Sequence, residues 1–443
     1  MALTFRGGVH PPDNKHYTKH VPIRKIEGCK EHVYPVLQHL GAPLEPVVAV
    51  GDRVCVGTKI ADSEAFVSSP LHSSVSGTVK AIEPRQHPNG SMITSIIIEN
   101  DFTYEVDPSI TPKGEIEDLS AQEIVKIVRD AGIVGLGGAC FPTHIKLSPP
   151  PDKKIDYVIL NGAECEPYLT SDHRVMLEQP DRVICGLRAV MRVFGLDKGY
   201  IAIEDNKPDA IKVIRETAKK YNGIEVKVLK KKYPQGSEKH IINAVTGREV
   251  PVGGLPADAG VIVLNIDTMV SVGNAIATGM PIIRRIVTVS GDCVKEPANF
   301  EVRTGTSFRH VFEQAGGFKT EPEKVLQGGP MMGIAQSSLD VPVIKGTSAL
   351  LALSRSETIY DAAQACIRCG RCVQACPMHL VPLTLNNYAE IGDWDACERM
   401  HAADCIECGS CAYVCPAKRH LVSNIRIARQ KAIAKRRAAS AKK

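Results

Sequence analysis

Cys366-Ile-Arg-Cys369-Gly-Arg-Cys372-Val-Gln-Ala-Cys376-Pro377 decides how the chain is read, because it recurs as Cys405-Ile-Glu-Cys408-Gly-Ser-Cys411-Ala-Tyr-Val-Cys415-Pro416. Each copy is C-x2-C-x2-C-x3-C-P, the spacing that holds cubane [4Fe–4S] clusters. Three thiolates on one tight loop reach three irons of a cube. The fourth, three residues further on, points to a second cube. The ligand sets therefore cross. One cluster takes Cys366, Cys369, Cys372 and Cys415; the other takes Cys405, Cys408, Cys411 and Cys376. Gly370 and Gly409 follow the second cysteine of each run, where the loop turns with little steric bulk. Zinc ribbons also use C-x2-C pairs, but zinc takes four ligands per site. It has no use for a doubled four-cysteine run ending in proline.

The chain has 443 residues, room for several domains. It is 44% hydrophobic and 23% charged, the balance of a globular protein with real cores. Fifteen cysteines in a chain this long are not a disulfide framework; eight are claimed by clusters, which need a reducing interior. The other seven, Cys397 between the two runs included, read as small buried hydrophobes. The most apolar long stretch, 259–280, is interrupted by Asn265, Asp267 and Asn274, so no transmembrane helix of the chain's own is expected. The start, MALTFRGGVH, has no apolar signal core, and the expectation is an intracellular chain, soluble by itself. Net charge is +5, yet residues 426–443 hold eight Lys/Arg and no acid. The basic character is a tail, not a nucleic-acid surface. That tail reads either as attraction to an acidic partner or anionic lipid, or as a solvated end.

Composition shifts divide the chain into a multidomain α/β protein. Residues 1–30 are polar and proline-bearing, an extended N-terminal arm. Residues 31–114 contain VGDRVCVGTKIA and SPLHSSVSGTVKAI, short β-branched runs broken by Gly51-Asp52, Gly57 and Gly77. This pattern resembles the barrel-sandwich fold of biotinyl and lipoyl carriers. No lysine lies between Lys59 and Lys80, where a carrier presents one, so cofactor carriage is not expected. Residues 115–284 alternate strands and helices. Ser120-Ala-Gln-Glu123 is a capping box before a helix whose apolar face holds Ile124 and Val128. Strands are expected at 157–160, 200–203, 225–229 and 261–264, with a helix over 208–221. Alternation of this kind implies a Rossmann-like, mostly parallel sheet with ligands at strand C-terminal ends. Residues 285–345 read as strand, strand–helix, strand, a β-grasp-like insert. A bacterial two-cluster ferredoxin domain over 354–424 and a basic tail, 425–443, close the chain.

A second candidate site is Gly132-Ile-Val-Gly135-Leu-Gly137-Gly138-Ala-Cys140-Phe141-Pro142-Thr143, with Lys146 behind it. Glycines here let backbone amides approach a phosphate or a flat ring. It is neither a dinucleotide G-x-G-x-x-G nor a P-loop. By spacing alone, phosphate binding and a tight turn stand level.

The wider pattern is more specific. GLGGACFPTHIKL resembles the GxGGAGFPTGxKW loop of the flavin-carrying, NADH-oxidising subunit of respiratory complex I. Tyr157-VILNGAECEP is similar to that family's strand ending in N-A-D-E-x-E-P. Tyr233-Pro-Gln-Gly-Ser-Glu238 resembles its Y-x-x-G-E-E loop, and Val263-Leu-Asn265-Ile-Asp-Thr268 its V-x-N-V-E-T strand end. This likeness covers about 116–345. With FRGGVHPPDNK, LQHLGAP and SSPLHSSVSG ahead and two clusters behind, the whole chain resembles the C subunits of Rnf ferredoxin:NAD+ oxidoreductases.

The resemblance implies cofactors and roles. FMN and two [4Fe–4S] clusters would be bound, with NADH or NAD+ as substrate. Gly135, Gly137, Gly138 and Lys146 would hold the FMN phosphate and ribityl chain, and Phe141 would stack near the nicotinamide and adenine. Asn161, Glu164 and Glu166 would line the flavin and bind NADH, with Glu166 the catalytic candidate and Glu238 assisting. Asn265 and Thr268 would touch the flavin chain. Cys140 stands where that family has glycine, and Ser237 where complex I has the first of two glutamates. The chain would then be a peripheral subunit on the cytoplasmic face of the cell membrane. There it would transfer electrons between NAD(H) and ferredoxin beside membrane and peripheral partner subunits, meeting ferredoxin itself only indirectly. A soluble NADH-dependent cobalamin reductase and a non-catalytic iron–sulfur wire are the alternatives.

Overall fold

The structure is a computed structural model and describes residues 2–358 and 362–440. Positions 359–361 of the expected ferredoxin module and the last three residues of the basic tail lie outside those described.

The central sheet forms where β-branched runs recur between helices. Its four parallel strands lie in the order Ile224–Leu229, Gly199–Glu204, Tyr157–Gly162, Val261–Asn265. Val158, Ile159 and Leu160 have no exposed surface, because helices cover both faces. That is why these strands read as unbroken apolar runs rather than alternating ones. One face packs on helices Ala121–Asp130, Pro180–Phe194 and Ile266–Thr278. The other packs on Glu238–Thr246 through Ile241 and Ile242. Helix Ala121–Asp130 begins with the expected capping box, the Ser120 hydroxyl accepting from the Glu123 N–H, and buries Ile124 and Val128. The C-terminal end of strand Val261–Asn265 meets the glycine-rich loop, where Gly137 packs on Asn265.

Ahead of this sheet stand two antiparallel ones. Glu31–Pro35, Met92–Asn100, Gly77–Gln86 and Arg53–Val54 form the first; Glu45–Pro46, Lys59–Asp62 and Leu71–His72 form the second. Tyr34, Ile60, Leu71, Val79, Ile96 and Ile98 fill the space between them.

A six-stranded sheet follows, and here the expected boundaries need correction. Its order is Arg24–Lys25, Ala298–Arg303, Arg284–Ser290, Ala349–Leu353, Lys324–Gln327, Ile334–Ala335. Two of these strands lie outside 285–345. Ala349–Leu353 is buried at every position, so it shows no alternation to mark it. Arg24–Lys25 is a two-residue edge contributed by the N-terminal arm. That arm is woven in elsewhere too: Leu3 bridges Leu229, and Val9 bridges Tyr233.

The tail is also corrected. A single helix, Leu421–Ser440, runs through the expected boundary at 424. Leu421, Ile425 and Ala428 pack into the core of the cysteine-rich module, and Ala432 is buried further along. Three of its charges are engaged: Arg426 and Arg429 pair with Glu407, and Lys435 with Asp395 and Glu398. Among the described residues no helix is long and apolar enough to cross a membrane.

Candidate redox site

The glycine-rich loop leaves helix Ala121–Asp130 at Gly132, where φ is +66°. Its shape is fixed from below. The Leu136 N–H donates to Thr268 Oγ1 at 3.0 Å, and the Leu136 carbonyl accepts from Arg285 Nη2 at 3.4 Å. Gly135 N–H closes the loop on the Phe141 carbonyl at 2.9 Å. Gly137 crosses Asn265 so closely that a Cβ would lie 2.9 Å from its Nδ2, whereas a Cβ on Gly138 would meet nothing within 4 Å. The first glycine of that pair permits an internal contact; the second leaves open backbone facing outward. Cys140 is buried at φ +52°, a conformation suited to the glycine that the complex I loop carries there. Its sulfur fits because Gly346 has no side chain; a Cβ there would lie 2.6 Å from it. Burial pushes the Cys140 thiol up to about 11. Phe141 is half-buried at the loop's end.

Asn265 caps helix Ile266–Thr278, its Oδ1 accepting from the Asp267 N–H at 2.9 Å, while its Nδ2 donates to Asp172 at 2.7 Å. Lys146 donates to the Val263 carbonyl at 3.2 Å and is ion-paired with Glu238. Lys146 and Glu238 thus form one unit at the sheet edge.

The acidic loop begins at the end of strand Tyr157–Gly162. Asn161 Nδ2 donates to the Gly236 carbonyl at 2.8 Å. Glu164, at φ +44°, turns inward and caps helix Ser171–Glu178, accepting from the Asp172 N–H at 2.7 Å. It lies 3.8 Å from Lys15. Glu166 points elsewhere. Its Oε2 accepts from the Met331 N–H at 3.1 Å, and its Oε1 is buried with no hydrogen-bond partner among the described residues. Gly329 makes room for it, since a Cβ there would sit 2.2 Å from that Oε2. Burial pushes the Glu166 carboxyl up to about 7. The Tyr233 hydroxyl stands beside it, and both polar atoms of the nearby Gln235 side chain are buried without partners among the described residues. Open backbone at Gly138 and unpartnered buried polar atoms at Glu166 and Gln235 fit a flat, polar ligand at the strand ends.

The cysteines fall into two sets. Cys366, Cys369, Cys372 and Cys415 line one cavity. Cys411 lies near Cys405, Cys408 and Cys376, and these thiols together with burial oppose its ionisation. In each set one member, Cys415 or Cys376, comes from the other run. Among the described residues no three His, Cys, Asp or Glu converge as they would on a single metal ion. Four thiols lining one cavity in the first set suit a cube of iron and sulfide. The loops share one backbone: φ is +53° at Arg368 and +54° at Glu407, +74° at Gly370 and +80° at Gly409.

The second loop is pressed against the α/β domain. Cys408 shares an apolar cluster with Val9, Tyr233 and Ala375, flanked by Cys165, Met331 and Ile406. Gly409 comes so near the Met331 carbonyl that a Cβ would lie 2.8 Å from it. Met331 therefore touches both Glu166 and the cysteine loop. The arm seals the other side, Gly8 N–H donating to the Ala375 carbonyl at 2.9 Å.

The four regions match known families in chain order. Residues 3–103 match the RnfC barrel sandwich hybrid domain, and 128–274 the Nuo51 FMN-binding domain. Residues 286–335 match the SLBB domain, and 365–418 the 4Fe-4S dicluster domain. The C subunit of the Na+-translocating ferredoxin:NAD+ oxidoreductase complex of Acetobacterium woodii is 50% identical over 434 residues, 98% of each chain. The chain belongs to the RnfC family. Another relative, the C subunit of the proton-translocating ferredoxin:NAD+ oxidoreductase complex of Clostridium ljungdahlii, is 49% identical over 96% of this chain and 93% of that one. Among solved structures, a chain of an NAD+-reducing [NiFe]-hydrogenase in the air-oxidized state matches with a TM-score of 0.48 at 18% identity, covering 68% of this chain and 60% of that one.

Four buried cations shape this RnfC-family site and escape a reading of motifs. Lys15 donates to the carbonyls of Glu164 at 2.9 Å, Glu166 at 3.0 Å and Leu169, folding the acidic loop around one ammonium. Lys207 donates to the Ala163 carbonyl at 2.6 Å. Arg285 pairs with Asp267 beneath Leu136. Lys345 joins the Pro70 carbonyl at 2.6 Å to the Gly132 carbonyl at 2.7 Å, tying the barrel sandwich to the glycine loop. Only Lys15 carries a sequence signal, the H-P-P-D-N-K of the arm.

Proposed function

We propose that this chain is the NAD(H)-handling peripheral subunit of a membrane-bound, ion-translocating complex and passes electrons between NAD(H) and ferredoxin. Its cofactors are FMN and two [4Fe–4S] clusters. When bound, FMN exchanges hydride with the nicotinamide and single electrons with the clusters. Gly138 exposes backbone to the flavin while Gly135 and Gly137 hold the loop in shape for it, with the Lys146–Glu238 pair set toward its phosphate end and Phe141 toward the nucleotide. Glu166, with Asn161 behind it, receives NADH. Glu164 supports the loop by capping a helix, and Asn265 and Thr268 hold the glycine loop in shape. The cysteine sets, crossed as above, hold the clusters. We read the parallel sheet as Rossmann-like and the six-stranded sheet as β-grasp-like, and place the subunit on the cytoplasmic face.

One observation carries this reading. Met331 and Tyr233 contact both the Glu166 site and the Cys408 loop, so nucleotide site and cluster loop are packed together rather than held on separate modules. The test is anaerobic titration of the full, cofactor-loaded chain with NADH. The flavin band should bleach and cluster signals should follow in electron paramagnetic resonance. Bleaching without cluster reduction would break the link, and no bleaching would reduce the chain to an iron–sulfur wire.

A further inference from the structure

The SSPLHSSVSG stretch places His72 at the end of strand Leu71–His72, where the redox site makes no use of it. His72 is only 5% exposed and lines a cavity of about 630 Å3 between the barrel sandwich and helix Ala121–Asp130. That volume is in the range of small-molecule sites. Its Nδ1 is buried without a hydrogen-bond partner among the described residues, and its Nε2 has none there either. Lys345 decides which nitrogen carries the hydrogen. A Cβ on Gly132 would lie 3.3 Å from His72 Nδ1 and 3.0 Å from Lys345 Nζ, so the two stand over one spot. A cation there disfavours a proton on Nδ1. Burial keeps the ring neutral, which leaves the hydrogen on Nε2, the nitrogen free to serve the cavity.

The rest of the wall also offers donors. Lys59, Lys113, Lys126 and Arg129 line it. The acids among them are already engaged. Asp62 accepts from Lys59 at 2.7 Å, Asp107 from Thr58 at 2.6 Å and Glu123 from Ser120 at 2.7 Å, while Asp130 pairs with Lys126 and Arg129. Lys113 is exposed and has no ion-pair partner among the described residues. Ile110, Leu119, Ile127 and Pro281 give the same cavity an apolar side.

We propose that this cavity binds a phosphate monoester of nucleotide size, its phosphate held by His72 and Lys113 and its apolar body set against Ile110, Leu119 and Ile127. A carboxylate offers two oxygens. A phosphate monoester offers three and more charge, which suits donors arriving from both domains. The site is separate from the one at the strand ends, yet Lys345 connects them, because it faces His72 and holds the Gly132 carbonyl at 2.7 Å. A bound phosphate thus stands one side chain away from the root of the glycine-rich loop.

The test is calorimetric titration of the full, cofactor-loaded chain with AMP, in saturating NAD+ so that the redox nucleotide site is filled. One saturable site is expected, with adenosine binding at least tenfold more weakly. Lys113→Glu, a change at an exposed side chain, should weaken AMP about tenfold, and His72→Phe should do the same while keeping a ring in place. Flavin bleaching by NADH should be unchanged in Lys113→Glu. If His72→Phe fails to fold, Lys113→Glu and the adenosine comparison still decide. No saturable AMP binding, loss of AMP binding when NAD+ is added, equal binding of adenosine, or full AMP affinity in folded Lys113→Glu would each overturn the proposal.

Discussion

Lys15 Nζ donates to the Glu166 carbonyl at 3.0 Å, across 151 residues of sequence, so the N-terminal arm is part of the acidic loop's interior. Lys15→Met keeps the stem and removes the ammonium. Three carbonyls then lose their donor, and unsatisfied buried carbonyls cost about 1–3 kcal/mol each before relaxation. The expected outcome is a lower melting temperature and a raised KM for NADH, measured by calorimetry and by initial rates of flavin bleaching. An unchanged melting temperature would count against the arm's structural role.

Glu166→Gln should slow NADH oxidation more than it lowers bound flavin, since in the function proposed above Glu166 receives NADH while other residues hold the glycine loop. The pH dependence has a definite sign. Burial raises this carboxyl from 4.5 to about 7, so the folded chain holds the proton more tightly than the unfolded one. Stability from this group is fully present below pH 4.5 and is lost as pH rises through about 7. Glutamine does not titrate. Relative to the parent, the variant should therefore gain melting temperature between pH 5.5 and about 7.5 and then level off, as calorimetry across that range would show.

Cys376→Ala and Cys415→Ala should each damage the cluster held by the other run. The parent chain should bind about eight irons and eight sulfides after anaerobic reconstitution. Cys415→Ala should remove or weaken the exposed cluster and Cys376→Ala the one beside Tyr233, distinguishable by electron paramagnetic resonance during NADH titration. Zinc in place of iron would refute the cluster assignment.

Acid release should yield FMN and not FAD, because the loop and Lys146 suit one terminal phosphate and no dinucleotide fingerprint exists. Lys146→Ala also leaves Glu238 without its partner. Flavin retention on a desalting column should fall about tenfold, the low end of a charge-assisted contact. Recovery of FAD by chromatography would refute this.

Deleting 426–443 should do more than remove charge. It strips Ala428 and Ala432 from a packed helix and leaves Glu407 unpaired beside a cluster loop. Iron content is expected to drop, with flavin bleaching by NADH retained. Normal iron content in the truncated chain would restore the tail to a purely electrostatic role.

How much of this was legible beforehand depends on the range of the contacts. The parallel strands and the helix after Ser120 announce themselves through local apolar runs and a capping box, and the doubled cysteine spacing carries its own geometry. Ala349–Leu353 hides because a strand buried on both faces has no period. The helix through 425 hides because lysines and arginines mask the spacing of Ile425, Ala428 and Ala432. Lys207 and Lys345 look like solvated charges until folding brings carbonyls 44 and 213 residues away to them. Glu164 and Glu166 share a motif, yet one φ of +44° sends the first carboxylate to a helix end and leaves the second against Met331 and Tyr233.

The duplicated loops also bear on how such proteins diversify. A change at Ile406 must be matched at Tyr233 or Met331, within the same gene. Ile367, Arg368 and Arg371 are exposed, so a change there disturbs little packing within the chain. One copy of the same short motif is thus bound by packing inside the chain while the other is open at the surface, so the two copies tolerate substitution unequally.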